Sequence, residues 1–239
     1  MTSPTSSAST LGHPRLHLRL TDSTNERARA LAIAGAPHGT LVSAAAQTAG
    51  RGRQGRRWSA PPGSALLASL VLREPPRLLA LIAALAVSDV AGDEAQIKWP
   101  NDVVLADRGR LRKLAGILAE GRPQDGWAVL GIGLNVAVQL QELPPELQDS
   151  AATLGAEPAA IEPTLARLLR ALERRLEETP EVTLSAYRTR DALRGREVAW
   201  GAGRGRAAGI DGEGRLVVAM TGGGHVALDA GEVHLASQV

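Results

Sequence analysis

The chain has 239 residues, 44% of them hydrophobic, enough for one large domain or for one domain plus a small appendage, so disorder throughout is excluded. The absence of cysteine rules out disulfides, thiolate metal sites and cysteine nucleophiles, and it suits a reducing, cytoplasmic setting. A pI near 9.6 suggests nucleic acid, but the formal charge is only +2, from 27 basic against 25 acidic residues, so net charge decides little.

Taken in order, residues 1–11 are Ser/Thr-rich with no basic stretch before an apolar run, and we expect a flexible tail over 1–14 rather than a signal peptide. Residues 15–20 alternate like a half-buried strand, and 24–34 predict a helix closed by Gly35 and Pro37. A strand over 41–46 feeds a polar loop, 47–63, whose glycines and prolines oppose regular structure. Residues 64–72 predict a buried strand, and 75–90 a helix opened by prolines and too short to span a bilayer. Two strand-like pieces over 96–105 are broken at Pro100-Asn101; 113–120 and 127–136 then predict a hairpin, and 164–178 an amphipathic helix. Beyond Arg194-Gly195 the texture changes to short strands between glycine turns, at 197–200, 206–210, 216–220, 225–228 and 232–235, the size of a small β-barrel. We therefore expect a main domain over 15–194 and a small one over 195–239.

Only two of the basic residues are lysines, Lys98 and Lys113, and only three residues are asparagines, Asn25, Asn101 and Asn135. Against so strong a drift towards arginine and small residues, these survivors are candidates for positions that tolerate no substitute. The loop Gly50-Arg51-Gly52-Arg53-Gln54-Gly55-Arg56-Arg57-Trp58 contains a formal G-x-G-x-x-G, but it opens no helix, so a dinucleotide fingerprint is not expected. Four arginines on glycines make an anion clamp, with Trp58 a face for a base; the plainer alternative is a solvated basic loop, and an RG-type RNA-binding segment lacks repetition. Ser23 with Glu26 three residues on reads as a capping box, and a helix start can also present free N–H groups to a ligand. Lys98-Trp99-Pro100-Asn101-Asp102 gathers a cation, an aromatic, an amide and a carboxylate at a strand break. Lys113-Leu114-Ala115-Gly116-Ile117-Leu118 and Gly131-Ile132-Gly133-Leu134-Asn135 thin out a strand's side chains, as a flat ligand requires, although single strand glycines are often bulges. The five histidines lie outside these segments and read as structural.

Ser23-Thr24-Asn25, Gln47 with the arginine loop through Trp58, K-W-P-N-D, K-L-A-G-I-L and G-I-G-L-N, in this order, resemble the biotin–protein ligase family over residues 15 to about 136. The resemblance implies an α+β fold, a mixed β-sheet backed by helices, with an SH3-like barrel appended. It implies activation of biotin with ATP to biotinyl-5′-AMP, then transfer to a lysine of a biotin carboxyl carrier protein. By the same resemblance Ser23, Thr24, Gln47, Gly50, Gly116, Ile117, Gly131 and Gly133 meet biotin. Arg51, Arg53 and Lys113 surround its carboxylate and the ATP phosphates, with Lys98 nearby and catalysis resting on these four. Trp58 and Asn135 hold adenine, and Asn101 and Asp102 serve phosphate or Mg²⁺. The segment 107–112 is longer and more basic than the family pattern. The family often dimerises, so a homodimer is open. About 20 residues precede Ser23 where the ligase-repressors carry a DNA-binding region, so operator binding is not expected. A lipoate–protein ligase is the alternative of the same fold. The chemistry agrees independently: a carboxylate that attacks an α-phosphate needs no protein nucleophile, only groups that hold two anions together.

Overall fold

The computed structural model describes residues 11–122, 125–201, 203–229, 231 and 233–235. Strand β1 (Arg15–Leu18) and helix α1 (Thr24–Ile33) lead to β2 (Leu41–Ala44), which pairs parallel to β1. Strand β3 (Ala65–Arg73) and helix α2 (Leu79–Ala91) follow, then β4 (Gln96–Lys98), β5 (Asp102–Asp107), β6 (Arg110–Arg122) and β7 (Trp127–Asn135). These strands form one mixed sheet in the order β1-β2-β3-β7-β6-β5-β4, antiparallel except at β1 and β2. Short helix α3 (Pro145–Gln148), α4 (Ile161–Leu176) and α5 (Pro180–Arg190) complete this unit. The five strands β8 (Glu197–Trp200), β9 (Gly203–Ile210), β10 (Leu216–Met220), β11 (His225–Leu228) and β12 (His234–Leu235) make a second, antiparallel sheet. This is the α+β arrangement, with an all-β C-terminal unit, that the sequence predicts.

Side-chain parity divides the main sheet into two faces. On β3, Leu66, Ala68, Leu70 and Leu72 join the large core with α2 and α4, and β7 adds Ala128, Leu130, Ile132 and Leu134. Helix α2 is apolar on nearly every side because it is enclosed by this face and by α4 and α5, and its start meets the turn before β10. There a Cβ at Gly214 would come within 2.8 Å of Leu78 and 3.0 Å of Leu81. The opposite face is only partly covered. Ala28 and Ala32 of α1 pack on Val42, Val71, Trp127 and Val129 at one end. Ala65 and Leu67 meet Val138, Leu143 and Ala151 at the other. Buried on both faces, β3 is apolar except for Ser69 and the terminal Arg73, with no period of two.

Several expectations are corrected. The expected tail is already packed at Leu11: its side chain is in the core, its N–H donates to Glu173 at 3.0 Å, and Gly12 N–H donates to Gly39 O. Residues 1–10 of the expected tail lie outside the described residues. Strand β1 is mostly exposed rather than half-buried, because it forms the edge of the sheet. Helix α5 was not foreseen, since only Thr183, Leu184 and Tyr187 of it are buried, too few for a clear period. The basic segment 107–112 is the tip of the β5–β6 hairpin, turned by Arg108 and Gly109 at positive φ and braced by an Arg112–Asp107 ion pair at 3.0 Å. The turn expected across 121–126 falls partly outside the described residues, as does residue 232 of the last strand.

Candidate active site

Between α1 and the α3 segment, the half-covered face of the sheet holds a cavity of about 380 Å³. Its floor follows from parity: Gly131, Gly133 and Asn135 alternate along β7 with the Ile132 and Leu134 that face the helices. Gly116 pairs with Gly133 across β6 and β7, so two side chains are missing at one spot. Of the residues expected to meet biotin, ATP or Mg²⁺, all line this cavity except Gly50. Gly50 lies just behind the wall, where a Cβ would come within 2.5 Å of Trp58 O and 2.8 Å of the Gln47 amide.

The start of α1 forms one end. The expected capping box is absent: Ser23 makes no side-chain cap. Instead Gln47 Oε1 accepts from Thr24 N–H at 2.7 Å and from its hydroxyl at 3.1 Å, a long-range partner taking the role of a local one. Asp22 accepts from Ser23 N–H at 2.8 Å and from the Thr21 hydroxyl, and these bonds hold its carboxyl below the usual carboxylate range. Ser69 Oγ lies 2.8 Å from Thr24 Oγ1 and 2.6 Å from Asn25 Oδ1, and Asn25 Nδ2 donates to Glu120 at 3.0 Å. A Cβ at Gly131 would sit 2.0 Å from Asn25 Oδ1, so this glycine makes room for Asn25.

The glycine-arginine loop has more order than its composition suggested. Trp58 N–H donates to Gly50 O, Gly52 N–H to Arg56 O and Arg56 N–H to Arg53 O, closing a small hairpin around a 3₁₀ turn at Arg53–Gly55. Gln54 and Gly55 both take positive φ at its tip. Arg53 donates to Asn101 Oδ1 at 3.1 Å, and Arg57 to Thr48 O. Arg51, expected beside an anion, is ion-paired with both Glu26 and Glu120, the latter at 2.9 Å. The Trp58 ring lies on the glycine floor: a Cβ would come within 2.5 Å of it at Gly133 and 3.0 Å at Gly116. Its indole N–H is buried with no partner among the described residues, and so is Asn135 Oδ1, whose own amide donates to Ala152 O at 2.8 Å.

The opposite wall comes from the β4–β5 turn and β6. Pro100 interrupts the ladder, and Asn101 re-attaches the turn by donating to Ile117 O at 2.8 Å. Trp99 faces the core rather than the cavity, and its indole donates to Gly214 O at 3.0 Å, tying the turn to the second sheet. Lys113 Nζ is 2.7 Å from Asp102 and 5.7 Å from the Trp58 ring centre. Among the described residues Asp102 is the only carboxylate lining the cavity, against Arg51, Arg53, Arg56, Arg57, Lys98 and Lys113. Such a site is built to accept anions. Sequence reasoning singled out Asn25 without giving it a role in the site, and it missed the wall made by Leu143, Leu147, Ser150 and Ala151. The leucine spacing around the prolines Pro144 and Pro145 was the available signal, but the segment is too short and irregular to read as an element.

The biotin/lipoate A/B protein ligase family model matches residues 17–136, which contain every cavity residue named above except the wall at 143–151. The bifunctional ligase/repressor BirA of Bacillus subtilis is 38% identical over 156 residues, 60% of this chain and 47% of that protein, so the chain spans about half of that relative's length. A biotin–acetyl-CoA-carboxylase ligase of Mycobacterium tuberculosis is 36% identical over 237 residues, covering 89% of this chain and 85% of its own. Among solved structures, a biotin protein ligase from Aquifex aeolicus in complex with biotin and ATP superposes with a TM-score of 0.78 at 28% identity, over 93% of this chain and 98% of the other. Sequence match, fold and anion-accepting cavity all lead to one placement: this chain belongs to the biotin/lipoate A/B protein ligase family.

Proposed function

We propose that the protein is an ATP-dependent biotin–protein ligase. The observation that carries this reading is one cavity in which a flat glycine floor, a polar end at Thr24 and Gln47 and a cationic wall at Arg53, Lys98 and Lys113 come together. Biotin has the matching order of parts: a polar bicycle, an apolar tail and a carboxylate. In the first step a biotin carboxylate oxygen attacks the α-phosphorus of ATP, and pyrophosphate leaves with the bonding pair. In the second, a neutral lysine amine of the acceptor attacks the acyl carbon, AMP leaves and the amine loses a proton. Neither step needs a protein nucleophile. The chain's work is to hold two anions side by side, with Lys113 and Arg53 offsetting the charge that builds up between them. The unpartnered Trp58 N–H and Asn135 Oδ1 supply one donor and one acceptor, the complement of a nucleobase edge.

Asp102 suits a magnesium ion that arrives on the triphosphate, since this ion is usually held by one or two carboxylates plus substrate phosphates. When bound it would neutralise phosphate charge. Among the described residues no cluster of three or more metal-ligating side chains could hold one without the nucleotide. The acceptor is the biotin-carrying subunit of a carboxylase. No helix among the described residues is long and apolar enough to cross a membrane. The test is mass-spectrometric detection of the adenylate after incubation with ATP and either biotin or lipoate. Biotinyl-5′-AMP alone is expected; lipoyl-AMP alone would reassign the substrate, and neither would refute the reading.

A further inference from the structure

The loop carries four arginines in seven residues, yet they do not have one role. Arg57 bonds Thr48 O and Arg53 bonds Asn101 on the far wall, whereas Arg51 is taken up by two carboxylates from elements distant in sequence. Glu26 comes from α1 and Glu120 from β6. Arg51 also stands at the base of the loop hairpin, bridged through its backbone to Arg57. Fixing its side chain therefore fixes where the rest of the loop, Arg53 and Trp58 included, projects over the cavity. Glu120 is itself held, because Asn25 donates to it at 3.0 Å, and Asn25 Oδ1 is 2.6 Å from Ser69 Oγ in the floor. Gly131 is required for that contact.

We propose that Glu26–Arg51–Glu120 is a latch: Glu26 and Glu120 are positioning residues that hold the base of the loop, and Arg51 serves them rather than binding the substrate's anions. Two carboxylates around one guanidinium remove its charge from a crowded arginine cluster, which lowers the repulsion that would otherwise open the loop. The latch also joins the loop to the floor through Asn25, so a ligand that settles on the floor and a loop that closes over it share one polar network. This deepens the ligase reading by assigning retention of the acyl-adenylate to a specific set of side chains.

The experiment compares Glu120→Gln, Glu26→Gln and Arg51→Gln, singly and combined, in the full chain. Trypsin cuts after arginine, so the cleavage rate at Arg53, Arg56 and Arg57 reports loop opening whether or not the protein has any activity. Each single variant should raise that rate by about fivefold, the scale of a part-exposed ion pair, and Glu120→Gln should add nothing once Arg51→Gln is present. The melting temperature should stay unchanged. With biotin and ATP, Glu26→Gln and Glu120→Gln should each raise the ratio of released to transferred adenylate while the rate of pyrophosphate formation stays close to normal, a split that a merely destabilised fold does not give. If freeing Arg51 by either glutamate change lowers the KM for ATP, or leaves cleavage of the loop unaltered, the latch is wrong. Absence of any adenylate in the wild type would refute the ligase reading, and the cleavage rates would still decide the latch.

Discussion

The two faces of the main sheet are made from the same strands and treat side chains in opposite ways. Towards α2 and α4, strand β7 presents Ala128, Leu130, Ile132 and Leu134, all buried in the large core. Towards the cavity the same strand presents Gly131, Gly133 and Asn135, and the place of their missing side chains is taken by Asn25 and Trp58. A period of two thus separates stability from ligand binding within one strand. Mutations one residue apart should therefore fail in different ways, which gives the comparison its tests.

The largest expected effect is on the cavity side. Lys113→Ala should cost roughly 3 kcal/mol or more of barrier, over a hundredfold in adenylate formation, because a charge contact made in the transition state is lost. Pyrophosphate release by the purified variant measures it, and thermal unfolding should be unaffected. On the core side, Ile132→Ala should cost about 2–5 kcal/mol of stability through its cavity, visible in denaturant unfolding, with activity retained at temperatures where the variant is folded. Its neighbour should behave in the opposite sense. Gly133→Ala places a methyl 2.5 Å from the Trp58 ring, so Trp58 must shift at a cost of about 1–3 kcal/mol. We expect roughly a tenfold rise in the KM for biotin or ATP and a loss of unfolding stability smaller than that of Ile132→Ala. The smallest effect lies at the sheet edge. There Arg15 donates to both Glu162 oxygens, at 2.8 and 2.6 Å, and this bonding holds the Glu162 carboxyl below its ordinary range. A lowered folded-state pKa contributes stability above the unfolded value that is lost as pH falls through the folded one. Glu162→Gln should flatten that acid limb by less than about 1 kcal/mol, since the pair is part-exposed. Burial pushes Asp191 the other way, so its contribution is present below the unfolded pKa and is lost as pH rises through the folded value.

What could be read from the sequence divides along similar lines. The strands and the helix α4 were visible through periodicity, and the cavity residues through glycines, lysines and asparagines that stand out from the composition. Hidden were features set by partners far along the chain. Gln47 replaces the capping box that Ser23 and Glu26 spell out, and it lies 23 residues from Thr24. Arg51 looked like an anion ligand because neither Glu26 nor Glu120 is beside it in sequence. Glycines at 116, 131 and 133 were read as room for a ligand, and the structure fills that room first with Trp58 and Asn25. Local chemistry identifies which residues are unusual; only the fold determines what each one touches.

The most direct measurement is isotope exchange between pyrophosphate and ATP, with and without biotin, in the wild type and in Lys113→Ala. Exchange in the wild type should require biotin, and none above background should occur in the variant while it remains folded. Exchange that proceeds without biotin, or that survives undiminished in Lys113→Ala, would contradict it.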